Sequence, residues 1–121
     1  MEWIIMLSKE LILGASDLPI EEVQVPEWAG VVYVKTLKGR ERDAFEQSII
    51  DAKKKGGTNL VNVRARLAVR VLTDDKGNRV FTDADADALG EKSGKALDRI
   101  FDVAQRLSGI GAKEVAELEK N

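Results

Sequence analysis

Residues 23–46 read VQVPEWAGVVYVKTLKGRERDAFE, and this stretch decides the fold. Two apolar-alternating runs, 23–28 and 31–37, flank Ala29-Gly30. That pattern predicts a β-hairpin over about 23–37, with Gly30 supplying a positive φ at the turn. Pro26 has no N–H to give a ladder, so it belongs at an edge or a bulge. A helix is predicted at once afterwards, over 39–54. Phe45, Ile49 and Ala52 fall on one of its faces with Ile50 beside them. Glu41 lies in its first turn, where a negative charge complements the helix dipole. Lys38 is a poor capping residue. Lys53-Lys54-Lys55 followed by Gly56-Gly57 makes a helix stop. A hairpin feeding a helix is a scaffold, and no side chain in the block does chemistry easily.

On the N-terminal side, Ser8 can cap a short helix over 9–13 that Gly14 ends. Asp17-Leu18-Pro19 is a loop. On the C-terminal side, residues 60–72 (LVNVRARLAVRVL) satisfy two periodicities. Leu60, Val63, Leu67 and Val71 make a helical face, whereas every second residue from Val61 to Val71 makes a strand face. The Ala, Arg and Leu content favours helix. Asp74 to Asn78 is a turn and Arg79–Phe81 a brief extended piece. Thr82 with Asp85 makes a capping-box pattern opening a short helix over 83–90. Ser93 caps a helix over 94–107, in which Leu97, Ile100, Phe101, Ala104 and Leu107 form one stripe. A last helix over 112–120 carries Val115 and Leu118 on one side. The expected class is mainly α (α+β), a small helical domain with an N-terminal β-hairpin, folded as one domain over 1–121.

Composition narrows the chemistry. The chain has 121 residues, 44% hydrophobic and 33% charged, without cysteine or histidine. Disulfides, thiolate nucleophiles, Cys/His zinc sites and the usual neutral-pH general base are therefore excluded. Residues 1–6 are apolar but lack the basic n-region of a signal peptide, and Met6 is an alternative start. Charge is uneven along the chain: residues 35–70 carry a net +6, against −5 for 1–34 and −3 for 71–121. A basic middle between acidic ends suits head-to-tail contact between copies or an acidic partner, or else a merely solvated surface.

Candidate sites are few. Asp83, Asp85 and Asp87 begin like a calcium loop, but Ala88 and Gly94 stand where that loop needs Gly and Glu. Acidic residues near a helix N-terminus explain them better. No catalytic residue, metal site or cofactor site is assigned. Neither an enzyme nor a cofactor is expected, and no phosphate-cradling glycine motif is present. Arg66 and Arg70 share a helix face and Arg64 lies aside, without the interleaved aromatics of a single-strand binder, so nucleic acid is not an expected partner. Nor is a membrane. Trp28 and Tyr33 either cover the core beneath the hairpin or anchor an interface.

The order PEWAG, alternating strand, Leu37, Gly39, then ERDAFE resembles the tail assembly chaperones of long-tailed, non-contractile phages. The likeness continues through Leu7–Val25, Asn62–Leu67, Val80–Gly90 and Lys92–Gly109. That resemblance favours helix over 60–72. It implies a chaperone that self-associates, in an open-ended arrangement, and binds the tape measure protein. It would keep that client soluble until tail-tube subunits polymerise around it. It also implies work in the host bacterial cytoplasm and absence from the mature virion, with the tail tube protein as a further contact. Trp28, Tyr33, Arg40 and Arg42 are the partner-binding residues to test. The alternatives are a structural tail or connector subunit, and a small DNA-binding regulator built on the Arg-bearing helix.

Overall fold

A computed structural model of the chain describes residues 5–54 and 62–109. Helix α1 spans Lys9–Gly14, strand β1 Ile20–Val25, strand β2 Gly30–Lys35 and helix α2 Gly39–Lys54. Helix α3 spans Val63–Val71, strand β3 Leu72–Thr73, helix α4 Ala86–Leu89 and helix α5 Gly94–Ser108. The three strands form one antiparallel sheet in the order β1-β2-β3. The mixed class and the N-terminal hairpin are thus as the sequence predicts.

The hairpin differs in its turn. Pro26–Trp28 winds into a single 3-10 turn, and Ala29, not Gly30, takes the left-handed conformation at φ 55. The expectation of a positive φ at Gly30 is corrected for a simple reason. The 3-10 turn uses three residues, so its closing bond, Ala29 N–H to the Pro26 carbonyl at 3.0 Å, puts the reversal one residue early. Gly30 then opens β2. Pro26 sits at the first position of that turn, where a missing N–H costs nothing.

One face of the sheet is greasy and one is wet. Val23, Val25 and Val34 are buried, while Glu22, Gln24 and Val31 on the other face are exposed. This is period-two alternation over a half-covered sheet. Helix α5 lies against the greasy face of β1 and β2 and presents Leu97, Ile100 and Ala104, all buried. Ser93 caps it by accepting the Ala96 N–H at 3.3 Å, and Gly109 closes it in the left-handed region. Phe101 and Leu107, at the edges of the predicted stripe, are half-buried.

Helix α3 resolves the ambiguity of residues 60–72 as helix. It packs against α5, α4 and α2 together. Val63, Ala65, Leu67, Ala68, Val69 and Val71 are all buried, so both periodicities matched because the helix is apolar nearly all round. The predicted span is corrected at its end: Leu72 turns extended and forms β3 with Thr73. Leu60 and Val61, the stop at Lys55 to Gly57, and the helix over 112–120 lie outside the described residues. On α2, Phe45 and Ile49 are buried and Ile50 is half-buried.

Polar contacts stitch the two layers. Arg99 makes a two-pronged pair with Glu27 at 2.8 and 3.1 Å, and Arg106 meets Glu21 at 2.6 Å, tying α5 to the hairpin. Ser108 accepts the Leu37 N–H at 3.0 Å and its carbonyl accepts from Arg42 at 3.5 Å, tying the end of α5 to the start of α2. Arg79 donates twice to the Val69 carbonyl, at 3.1 and 2.7 Å, and once to Asp83 at 2.9 Å. It thereby satisfies a carbonyl that the last turn of α3 would otherwise leave open.

Candidate functional site

Two apolar features of the described residues have no use inside the fold. The first is an arm. Every residue from Ile5 to Ile20 is exposed, and α1 buries none of its own. Ser8 caps α1 as predicted, accepting the Leu11 N–H at 3.2 Å. Yet Leu11, Ile12 and Leu13 point to solvent, with Leu13 at 76% and the preceding Met6 at 95% exposure. A six-residue helix has too few hydrogen bonds to stand on propensity.

The second feature is a notch of about 490 Å³ beside β2, walled by Trp28, Val32, Leu72, Val80 and Phe81. Its origin is the shortness of β3. Thr36 N–H donates to the Pro19 carbonyl at 3.1 Å, so the even-numbered residues of β2 turn their backbone groups to β1. Asp74 N–H donates to Asn78 and Val80 N–H to Leu72, at 2.9 and 3.1 Å, so Thr73 turns its own to Tyr33. Val31, two residues back from Tyr33, faces the same side. There β3 has already ended and the chain has entered the turn at Asp74. Among the described residues, no strand stands opposite the Val31 N–H and C=O.

The residues singled out from the sequence divide between two places. Trp28 and Tyr33 both line the notch and are half-buried. The Tyr33 hydroxyl donates to Glu22 at 3.3 Å, and the negative charge of Glu22 pushes the phenol pKa up. Arg40 and Arg42 lie instead in the first turn of α2. Arg42 reaches Ser108 and Glu46, so it belongs to the far end of α5 from the Glu27–Arg99 pair beside Trp28. Nine residues of helix, about 14 Å at 1.5 Å per residue, separate positions 99 and 108.

Electrostatics elsewhere is structural. Burial pushes the Glu41 carboxyl up, but the Lys35 ammonium at 2.6 Å and the Lys38 N–H at 2.9 Å outweigh it and hold the pKa below its ordinary value. Glu41 thus supplies the start of α2 that Lys38 cannot. The three aspartates of the calcium-like run have separate partners: Asp83 binds Arg79 and Arg70, Asp85 accepts the Thr82 N–H at 2.8 Å, and Asp87 accepts from Asn62 at 3.2 Å. Of the three arginines on α3, Arg64 pairs with Asp98 and lies over the Phe101 ring, whereas Arg66 and Arg70 both line a 350 Å³ recess between α3 and α4, where Arg70 meets Asp83. Arg66 and Arg70 thus share a face and Arg64 lies aside, as the sequence predicts.

A family model described as phage tail assembly chaperone matches residues 9–121. The chain belongs to that family. No curated protein and no solved structure matches it. The matched span includes α1, the hairpin and every wall of the notch. Among the described residues, no helix is long and apolar enough to cross a membrane. The open backbone at Val31 was not legible in the sequence, because it depends on where β3 stops. The arm was legible only as apolar residues on a six-residue helix without a predicted packing face.

Proposed function

We propose that this tail assembly chaperone associates with copies of itself and covers apolar helical surface on the tape measure protein. The client would stay soluble in the host cytoplasm until tail-tube subunits enclose it, and the chaperone would then leave. The observation that carries the reading is the pairing of family membership with two apolar surfaces the fold leaves uncovered, the arm and the notch. A protein that shields sticky clients must itself present apolar patches. Weak contacts repeated along a rod-shaped client add up through avidity. Open head-to-tail association suits a rod better than a closed dimer. Trp28 and Tyr33 serve the apolar contact; Arg40 and Arg42 serve an acidic one.

Co-expression with a tape measure protein tests the reading. The expected result is a shift of that protein into the soluble fraction and its recovery in a pull-down. A client that stays insoluble, or recovery of the chain in purified particles, counts against it.

A further inference from the structure

The notch and the arm fit each other. The arm offers a piece outside any helix or strand, Ile5 to Leu7, followed by a helical turn carrying Leu11, Ile12 and Leu13. The notch offers the outer edge of β2 at Val31, where the N–H and C=O face away from β1, beside the apolar side chains of Trp28, Val32, Leu72, Val80 and Phe81. An extended segment laid there completes the sheet where β3 falls short, and main-chain hydrogen bonds then supply affinity while the walls select apolar side chains. A cavity of about 490 Å³ holds a few side chains, not a long helix. That volume suits the arm better than a many-turn client helix. Asp74 and Asp75 also line the notch, and on the arm Lys9 is offset by the adjoining Glu10, so the match rests on shape and apolar surface and not on net charge.

The two features sit at opposite corners of the sheet. The arm leaves from Ile20, which pairs with Lys35 on the outer strand β1. The notch opens on the other side of β2, at the Gly30 end. The turn over 74–78 lies across the outer face between them, close enough that a Cβ on Gly77 would come within 3.0 Å of Ile20 Cδ1. Donor and acceptor at diagonal corners make a heterologous contact, which propagates head to tail.

We propose that the Met6–Leu13 arm of one copy docks in the Val31 notch of the next, as a short added strand followed by a packed helical turn; this rests on the self-association reading and names its surface. A single arm is smaller than the roughly 20–30 residues a side of a standard interface, so assembly depends on concentration.

The chain has no cysteine, which makes the test direct. Met6→Cys and Val31→Cys are made as separate chains, mixed, and treated with a short bismaleimide. The expected product is a covalent dimer containing one of each. In parallel, Ile12→Asp, at an exposed position, should lower the average mass seen by light scattering at least threefold while leaving the urea midpoint unchanged. A mixture that gives no cross-link, with Ile12→Asp assembling like the parent, overturns this docking and leaves self-association standing. So does a double variant that cross-links only within one chain, or an Ile12→Asp chain that loses the tape measure protein alone. A parent chain that is monomeric at every concentration overturns both readings.

Discussion

At the scale of single residues, two positions carry more than their type suggests. Ala29 holds a left-handed conformation at φ 55 that a Cβ disfavours by about 1–2 kcal/mol. Ala29→Gly is therefore expected to leave stability unchanged or raise it by up to about 1 kcal/mol, since relief of the Cβ clash is set against the greater freedom of Gly in the unfolded chain. Urea unfolding reads the sign. Glu41 is a linkage site. Its folded pKa lies below the ordinary 4.5, despite burial, because of Lys35 and the Lys38 N–H. A depressed carboxyl stabilises fully above its unfolded pKa and loses that contribution as pH falls through the folded value. Glu41→Gln should lower the melting temperature at pH 7, and the gap to the parent should narrow as pH falls below the ordinary 4.5 and close once pH has passed the lowered folded value. Thermal melts across a pH series read this out; a gap that persists in acid would mean that Glu41 acts by packing alone. Gly90 shows a third kind of dependence. Its φ is ordinary, but a Cβ there would collide with the Asn62 carboxamide, which donates to Ala86 and Asp87.

At the scale of elements, the sequence was clearest where one face alone is buried. The stripe on α5 and its Ser93 cap were readable because that helix has a wet side. Residues 60–72 resisted for the opposite reason. α3 sits among α2, α4 and α5, and a helix covered on most sides loses the periodic signal that marks a helix. Leu67 is wholly buried at the middle of that arrangement. Leu67→Ala should cost about 2–5 kcal/mol, since packing from several elements limits how far the site can collapse. Chemical denaturation measures it, and a loss near that of an exposed position would contradict the central placement of α3. The break after Val71 follows from Leu72 pairing with Val34. Such a two-residue strand has no periodicity of its own.

At the scale of the whole molecule, the uneven charge along the chain is largely answered from within. Arg99 and Arg106 meet Glu27 and Glu21 of the acidic first third, and Arg64 and Arg70 of the basic middle meet Asp98 and Asp83. Exposed pairs of this kind contribute about 0–1 kcal/mol each, so they orient layers more than they hold them. Arg40 is exposed on α2 and lies outside these pairs. Arg40→Glu should weaken assembly, read by light scattering, while the urea midpoint stays within about 0.5 kcal/mol of the parent; unchanged assembly would remove this surface from the contact. Arg42→Glu is a poorer probe, because Arg42 also holds the Ser108 carbonyl. The sequence by itself determined the hairpin, the helices with a wet side, their caps, the absence of thiol and imidazole chemistry, and the family likeness. All of these are local patterns or composition. Only the tertiary structure decided that α3 is central, that β3 stops after two residues and leaves the outer edge of β2 open at Val31, and that Trp28 and Tyr33 share a place that Arg40 and Arg42 do not. Those facts depend on which distant segments cover one another, and periodicity along a chain carries no record of what lies across it.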